Sequence, residues 1–529
     1  MHVVVINCGY RYRSILTLDF FIFTFIVLVL YYIAPRKYRF MVLFLASLYF
    51  YLDKTPWYQQ VAFAVFLIFN YLASLYLSPE NKHRKLIFRL IICFDIFVFV
   101  FIKYAKFVFL SLYTILGKFG IDITGSVFQT ISTFNQEICP SNISYFGLIV
   151  IGYVCDVYWE KVAVQKNPCK FALFATFFPQ MTSGPIVTYK SMEYELFVKE
   201  HKFSYDKVVR GIERIIFGAF KKLVVAQRAA VIVDAIYNDY TKYNGLHIPL
   251  AAVMFVAQLY ADFSGLMDIV LGTAEVFDIT LPENFNLPFL SENLSEFWRR
   301  WHITLGEWLK DYILFPIYRS NGFKKLDKWC KAKWGKKYAK KFNLPSYIAL
   351  FISWFIIGLW HGGGWNYIFG VGIFMWFVIC LSDICKSLLE KTNTFLHINT
   401  ECLSFRLFRR ARTFALFAFG LSFFRANTLK DGFLMWREAF RQFNPWIFVD
   451  KSLLDLGLDR IEWEIFFIGI LVIVVVSVIK QLKGSVRDAL TRQNFVFRLA
   501  VYLTIFMATV IWGYYGAGFD AQSFIYGRF

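Results

Sequence analysis

Long apolar runs separated by clumps of charge constrain this chain more than any other feature. Leu16–Ala34, Trp57–Leu77, Leu90–Ile102, Phe146–Trp159, Ile248–Val270, Ile348–Trp360, Gly370–Leu381, Ile465–Ile479 and Leu499–Trp512 carry few charges. A helix needs about 17–25 apolar residues to cross a hydrocarbon core of about 30 Å, so the shorter runs require apolar flanks or internal partners. Only 18% of the 529 residues are charged, whereas soluble domains use about a quarter. The chain is therefore predicted to be all-α and polytopic in a membrane. Its first run is too long for a signal peptide and lacks a small-residue cleavage site. That run ends in Pro35-Arg36-Lys37-Tyr38-Arg39, which places this end inside, although Arg11 and Arg13 at its other end pull the opposite way.

The formal net charge is +20, but the positive residues gather in short segments between apolar runs, as expected of a cytoplasmic membrane face. Lys324 to Lys341 holds nine lysines against the single Asp327 and reads as a cytoplasmic loop with possible contact to acidic membrane lipids. This distribution excludes nucleic acid as the natural partner. Nine cysteines without a C-x-x-C pair argue against a disulfide framework or a thiolate metal site.

No internal repeat or low-complexity linker divides the chain, which reads as one membrane domain. Residues 15–170 and 376–529 look like plainer scaffold helices. Between 171 and 375 the apolar runs are broken by Pro, Gly, His and charges. Irregular backbone at membrane depth survives only where protein buries it or a wet cavity receives it, so 171–375 is the expected working core. Phe177-Phe178-Pro179-Gln180-Met181-Thr182-Ser183-Gly184-Pro185 cannot make one straight span. It is either a tunnel-lining broken segment or a tight turn between helices. A transporter would place matching breaks in two pseudo-symmetric halves, and a single central broken region argues against one.

Three stretches in that core could carry chemistry. Asp262 and Asp268 sit in an otherwise apolar segment, where a carboxylate needs a cationic partner or a substrate. From Glu296 to Asp311, a period of about 100° per residue puts Trp298, Trp301, His302, Leu305, Trp308, Leu309 and Tyr312 on one stripe. Arg299, Arg300, Thr304, Glu307, Lys310 and Asp311 fall on the opposite arc, which predicts one amphipathic helix. His302, at the edge of the aromatic stripe, is open to a structural or a functional reading.

The third stretch is the most informative. An apolar helix entering at about Tyr347 ends at His361, followed by Gly362-Gly363-Gly364-Trp365-Asn366. At 1.5 Å per residue it advances only about 22 Å, which leaves His361 inside a core of about 30 Å, toward the outer side. An ionisable group at a helix break, beside glycines that would let a substrate approach the backbone, is a candidate functional site. There is no G-x-S-x-G elbow and no H-E-x-x-H metal pair. What remains is general base catalysis, with neutral imidazole taking a proton from an alcohol that attacks an activated acyl carbonyl. His302 could orient the acceptor or assist the proton transfer.

Trp298-Arg299-Arg300-Trp301-His302, followed about sixty residues later by Leu359-Trp360-His361-Gly362, resembles the membrane-bound O-acyltransferase family. Leu30–Arg39, Phe178–Pro185, Asp262–Asp268, Pro282-Glu283-Asn284-Phe285, Phe423-Phe424-Arg425-Ala426 and Phe524-Ile525-Tyr526 fit the same resemblance, closest to the bacterial alginate O-acetyltransferase and teichoic-acid D-alanyltransferase branch. It implies roughly 11–13 membrane segments around a central funnel, with residues 1–14 as an extension. His361 would be catalytic, with His302 secondary. Trp298, Arg299, Trp301, Asp262, Asp268 and Asn366 are candidate substrate contacts. The expected activity is transfer of an acyl group, above all acetyl, across a bacterial cytoplasmic membrane onto a cell-surface polysaccharide or peptidoglycan. The donor would be a cytoplasmic thioester (acetyl-coenzyme A or an acyl carrier), with no bound cofactor or metal and an extracytoplasmic partner of the SGNH-hydrolase type. D-alanyl transfer to teichoic acid is the alternative, which the long part after about residue 405 disfavours.

Overall fold

The computed structural model describes residues 15–53, 55–119, 142–181, 183–335 and 343–515. The expected extension Met1–Ser14, the closing Phe524-Ile525-Tyr526, Thr182 and Lys336 to Lys341 lie outside the described residues. The described residues are helical throughout, apart from turns and one isolated antiparallel bridge between Phe285 and Trp301. An all-α polytopic membrane protein is therefore what the chain forms. Among the described residues, five helical stretches are long and apolar enough to cross a membrane: His247–Val276, Leu344–Gly362, Trp365–Phe395, Arg460–Lys483 and Phe495–Trp512. Leu18–Ile33, Ala105–Gly117 and Ile143–Tyr158 are shorter apolar helices.

These spans face different surroundings. In the most apolar window of His247–Val276, 78% of residues are buried in protein, against 17% in Arg460–Lys483 and 6% in Phe495–Trp512. The first is a core helix that happens to be apolar; the other two offer their side chains to lipid. At about 1.5 Å per residue, the 30 residues of His247–Val276 extend about 45 Å, more than a bilayer core requires.

The chain forms two compact units. The first holds residues up to Ile215 together with Asp268–Leu281. Its helices Leu18–Ile33 and Arg39–Leu52 start cleanly, the former with the Thr17 hydroxyl accepting from Phe20 N–H. Helix Ile143–Tyr158 is apolar on most sides and accordingly enclosed, with Phe146, Val150 and Tyr153 fully buried. The Phe177–Pro185 break is confirmed: a single turn, Phe178–Met181, follows helix Pro168–Thr176 and gives way to irregular chain. Phe178 locks that turn in place among Phe23, Phe50 and Phe20, at centroid distances of 5.3, 6.1 and 6.4 Å.

The second unit holds Ile216–Met267 and Pro282–Phe519. Arg228, almost fully buried, ties three of its helices together. Its guanidinium pairs with Glu462, donates to Trp512 O at 2.6 Å and lies 4.5 Å over the Tyr514 ring. Over the first part of the lysine-rich Lys324–Lys341 segment the chain is helical: Asn321–Trp334 is a helix, capped by Ser320. Lys331 pairs with Asp327 one turn away, and Lys333 stacks over Trp329. Alternating lysines and tryptophans every three to four residues satisfy helical pairing, a pattern that charge counting alone conceals.

Candidate active site

Of the expected site residues, all but Asp268 belong to the second unit. His361 is the penultimate residue of helix Leu344–Gly362 and is 4% exposed. Gly363 closes that helix in the left-handed region, φ +61°, with its N–H on Leu359 O. This conformation strains any residue with a Cβ. A Cβ on Gly362 would lie 2.6 Å from the Tyr367 ring, and one on Gly358 would lie 2.6 Å from Ile368 Cα. These small residues therefore let the chain reverse and pack against its own helix. The His361 ring stands edge-on to Trp360, at 4.9 Å, and to Phe424, at 5.1 Å. Asn366, also buried, donates to Ala426 O at 2.9 Å and so anchors the end of helix Leu403–Arg425 beside the imidazole.

The Glu296–Asp311 stretch is not one amphipathic helix. Helix Leu294–Trp298 stops, and a second begins at Ile303. Between them His302 adopts φ 50°, ψ 50°, a left-handed conformation rare outside glycine. The step forms because two stretches of backbone zip together: Asn286 N–H donates to Arg300 O, Ile303 N–H to Asn284 O, and Phe285 bridges Trp301. The break resets the helical phase. Most of the expected aromatic stripe is nevertheless buried, including Trp301, Leu305, Trp308, Leu309 and Tyr312. Thr304, expected on the polar arc, is buried too.

Thr304 is buried because Asn284 needs it. Asn284 Oδ1 accepts from the Thr304 N–H at 3.1 Å and from its hydroxyl at 3.1 Å, and it contacts His302 Nδ1 at 3.2 Å. A backbone N–H can only donate, so the Asn284 atom facing it is the oxygen. His302 Nδ1 must then carry the proton, which makes Nε2 the acceptor nitrogen of the ring. Burial pushes the pKa of His302 well below the usual imidazole value, so the ring stays neutral. Its face meets Phe263 at 4.8 Å and Trp360 at 5.9 Å. Trp360 thus touches both histidine rings. Asn284, which fixes the tautomer, was not singled out as a site residue. Its signal in the sequence was a lone asparagine in Pro282-Glu283-Asn284-Phe285, a segment with no periodicity to betray a tertiary role.

The remaining candidates separate by environment. Trp301 is enclosed by Tyr260, Phe285, Phe289, Phe297 and Phe417, within 5.1–6.3 Å. Trp298 packs on Trp354 at 5.0 Å, and its indole N–H is buried without a partner among the described residues. Arg299 is exposed. Asp262 forms a buried ion pair with Lys222. Asp268 falls in the first unit, 2.9 Å from Arg214 Nε. Each carboxylate has thus found a cation, which is one of the two possibilities the sequence left open.

The site thus sets two buried imidazoles against a shared tryptophan, one of them neutral with its tautomer fixed. Residues 160–424 match the membrane-bound O-acyltransferase family, MBOAT, and the chain belongs to that family. It is an acyltransferase of the membrane. It is 29% identical over 433 residues to the probable alginate O-acetylase AlgI of Pseudomonas aeruginosa, covering 80% of this chain and 74% of that protein. It is 30% identical over 353 residues to the peptidoglycan O-acetyltransferase of Helicobacter pylori, covering 62% and 61%. Similarity to the teichoic acid D-alanyltransferase of Streptococcus thermophilus is 26% over 247 residues, covering 46% and 56%.

Proposed function

We propose that this enzyme transfers acetyl from a thioester donor to hydroxyls of a cell-surface polysaccharide or peptidoglycan, with His361 as general base. The observation that carries the reading is the placement of His361: a buried imidazole at a helix end, one aromatic ring away from a second imidazole. In the proposed step, the His361 ring takes the proton of an acceptor hydroxyl as its oxygen bonds to the thioester carbonyl carbon. The tetrahedral intermediate then expels the thiolate, and the proton passes from His361 to that leaving sulfur. His302, a neutral ring whose tautomer Asn284 sets, orients the attacking hydroxyl. The buried N–H of Trp298 supports a role as a donor toward substrate. In this reading Asp262 and Asp268 position their helix through Lys222 and Arg214, and Trp301 and Asn366 hold the histidines' surroundings in place. The donor would approach from the cytoplasmic side, with acetyl-coenzyme A or an acyl carrier supplying the group. An extracytoplasmic SGNH-type protein would complete delivery. Acetyl is favoured over D-alanyl because the acetylating relatives align over more of the chain.

The test is polymer-bound ester released by mild alkali from cells expressing each variant at matched protein levels. His361→Gln preserves bulk and polarity but cannot take a proton at neutral pH, so ester should fall to background. Wild-type ester in His361→Gln would refute the mechanism. Acetate as the released acid supports the acetyl reading, and D-alanine would replace it by the alternative.

A further inference from the structure

Helix Leu403–Arg425 meets His361 through Phe424, and its other end carries a group of charges that the proposed chemistry does not use. Arg406 and Arg409 both pair with Glu292, at 3.0 and 2.6 Å, and Arg412 donates to the Glu292 backbone oxygen at 3.0 Å. Arg410 stands close enough to act on the same carboxylate without pairing with it. Beside them, Glu296 accepts from the Glu292 N–H and is paired with Arg300. Five guanidiniums thus share two carboxylates, and three positive charges are left over. Glu401, exposed in the turn before the helix, pairs with none of them. All of these residues belong to the second unit.

The group differs from the flexible lysines that a cytoplasmic membrane face ordinarily carries. The Arg406 and Arg409 side chains keep 45% and 26% of their exposure. Arg409 is held over the Phe405 ring at 5.3 Å and on Thr400 O at 3.1 Å. The Nε atoms of Arg409 and Arg410 are buried with no hydrogen-bond partner among the described residues. Like charges crowded into the first turns of a helix repel one another, and the positive end of the helix dipole adds to their cost. An anion relieves both. Arginine forks match phosphate oxygens in pairs, which lysines cannot do. Because the side chains are partly exposed, a phosphate can reach them from the surface.

Aromatic contacts fix where the group lies. Phe417, seven residues before Phe424, meets Trp298 at 5.8 Å, and Trp298 packs on Trp354, seven residues before His361. Helices Leu403–Arg425 and Leu344–Gly362 therefore run side by side in the same direction. Arg410 precedes Phe424 by 14 residues, about 21 Å along the axis. That sets the arginines level with the start of the helix that ends at His361, at its lysine-rich end.

We propose that Arg406, Arg409, Arg410 and Arg412 form a binding site for a phosphate group. Two sources carry this chemistry: the phosphates of a coenzyme A thioester, with the acyl end directed along the helix toward His361, and the headgroup of an anionic phospholipid. The first source rests on the acyl-transfer reading, and the site itself does not.

The test uses the full chain in phosphatidylcholine nanodiscs, as wild type, Arg410→Gln, Arg410→Glu and His361→Gln. Melting temperature is measured with coenzyme A, with pantetheine, which lacks phosphate, and with phosphatidylglycerol added to the bilayer. A rise with coenzyme A but not pantetheine names the donor, and a rise with phosphatidylglycerol alone names the lipid. Either shift should shrink in Arg410→Gln, with binding about tenfold weaker, and vanish in Arg410→Glu. Without ligand, both variants should melt at or above wild type, because each relieves repulsion. His361→Gln should bind as wild type does. No rise in wild type from either source overturns the site, and so does a rise unchanged in both Arg410 variants. Unliganded variants that both melt below wild type overturn it too, since Arg410 would then have its counter-charge within the protein. Wild-type ester in His361→Gln would refute the acyl-transfer mechanism while phosphate binding stayed intact, so the two failures are distinguishable.

Discussion

The two histidines of the second unit are buried to nearly the same degree, yet the protein holds them by opposite means. His361 is presented by backbone: a helix delivers it, a left-handed Gly363 ends that helix, and the rings of Trp360 and Phe424 stand edge-on to its own. His302 is held by side chain. It occupies a strained left-handed step, and Asn284 dictates which of its nitrogens carries the proton. A ring whose tautomer is locked is better suited to orientation than to proton turnover. We therefore propose chemistry for the histidine at the helix end and positioning for the one held by Asn284.

The largest expected effect tests that division directly. His361→Ala should lower ester formation by about 10²–10⁴-fold, as removal of a general base does, while His302→Ala should leave a measurable fraction because water can replace an orienting group in part. Equal losses in alkali-released ester from both variants would erase the distinction. Next in size, Trp301→Ala should destabilise by about 3–5 kcal/mol, since it empties an enclosed aromatic box. Protein level and melting temperature in detergent report it, and a wild-type melt would mean that the box is not packed as described. Asn284→Ala should cost about 2–3 kcal/mol by orphaning buried donors on Thr304 and His302. It should also reduce activity toward the level of His302→Ala rather than that of His361→Ala. A loss as deep as the latter would show that Asn284 governs more than His302. Gly363→Ala should cost about 1–2 kcal/mol for its left-handed conformation, read as a modest fall in melting temperature with ester per folded molecule near normal. The smallest effect belongs to Lys310→Ala on the exposed side of its helix, within about 0.5 kcal/mol. A larger drop would contradict the burial pattern around Trp308 and Tyr312.

Where sequence reading erred, a contact remote in sequence was responsible. Periodicity predicted one amphipathic helix from Glu296 because the local apolar spacing has a helical period. The break at residues 299–302 comes from pairing with residues 284–286, which no local pattern encodes. The glycines after His361 were correctly read as terminating a helix. Their other use, making room for Tyr367 and Ile368, needed the fold.

The sequence alone determined the environment and the chemical candidates. Runs such as Ile465–Ile479 can be satisfied only in hydrocarbon, and a histidine followed by three glycines inside such a run declares a helix end carrying an ionisable group. Those properties are local, set by transfer free energy and backbone conformational freedom, and so they can be read residue by residue. The tertiary structure alone decided which apolar helix faces protein rather than lipid, which cations receive Asp262 and Asp268, and that Asn284 sets the tautomer of His302. Each of these depends on groups brought together across tens or hundreds of residues, where the energy of a hydrogen bond or a buried pair exists only once the chain has closed around it.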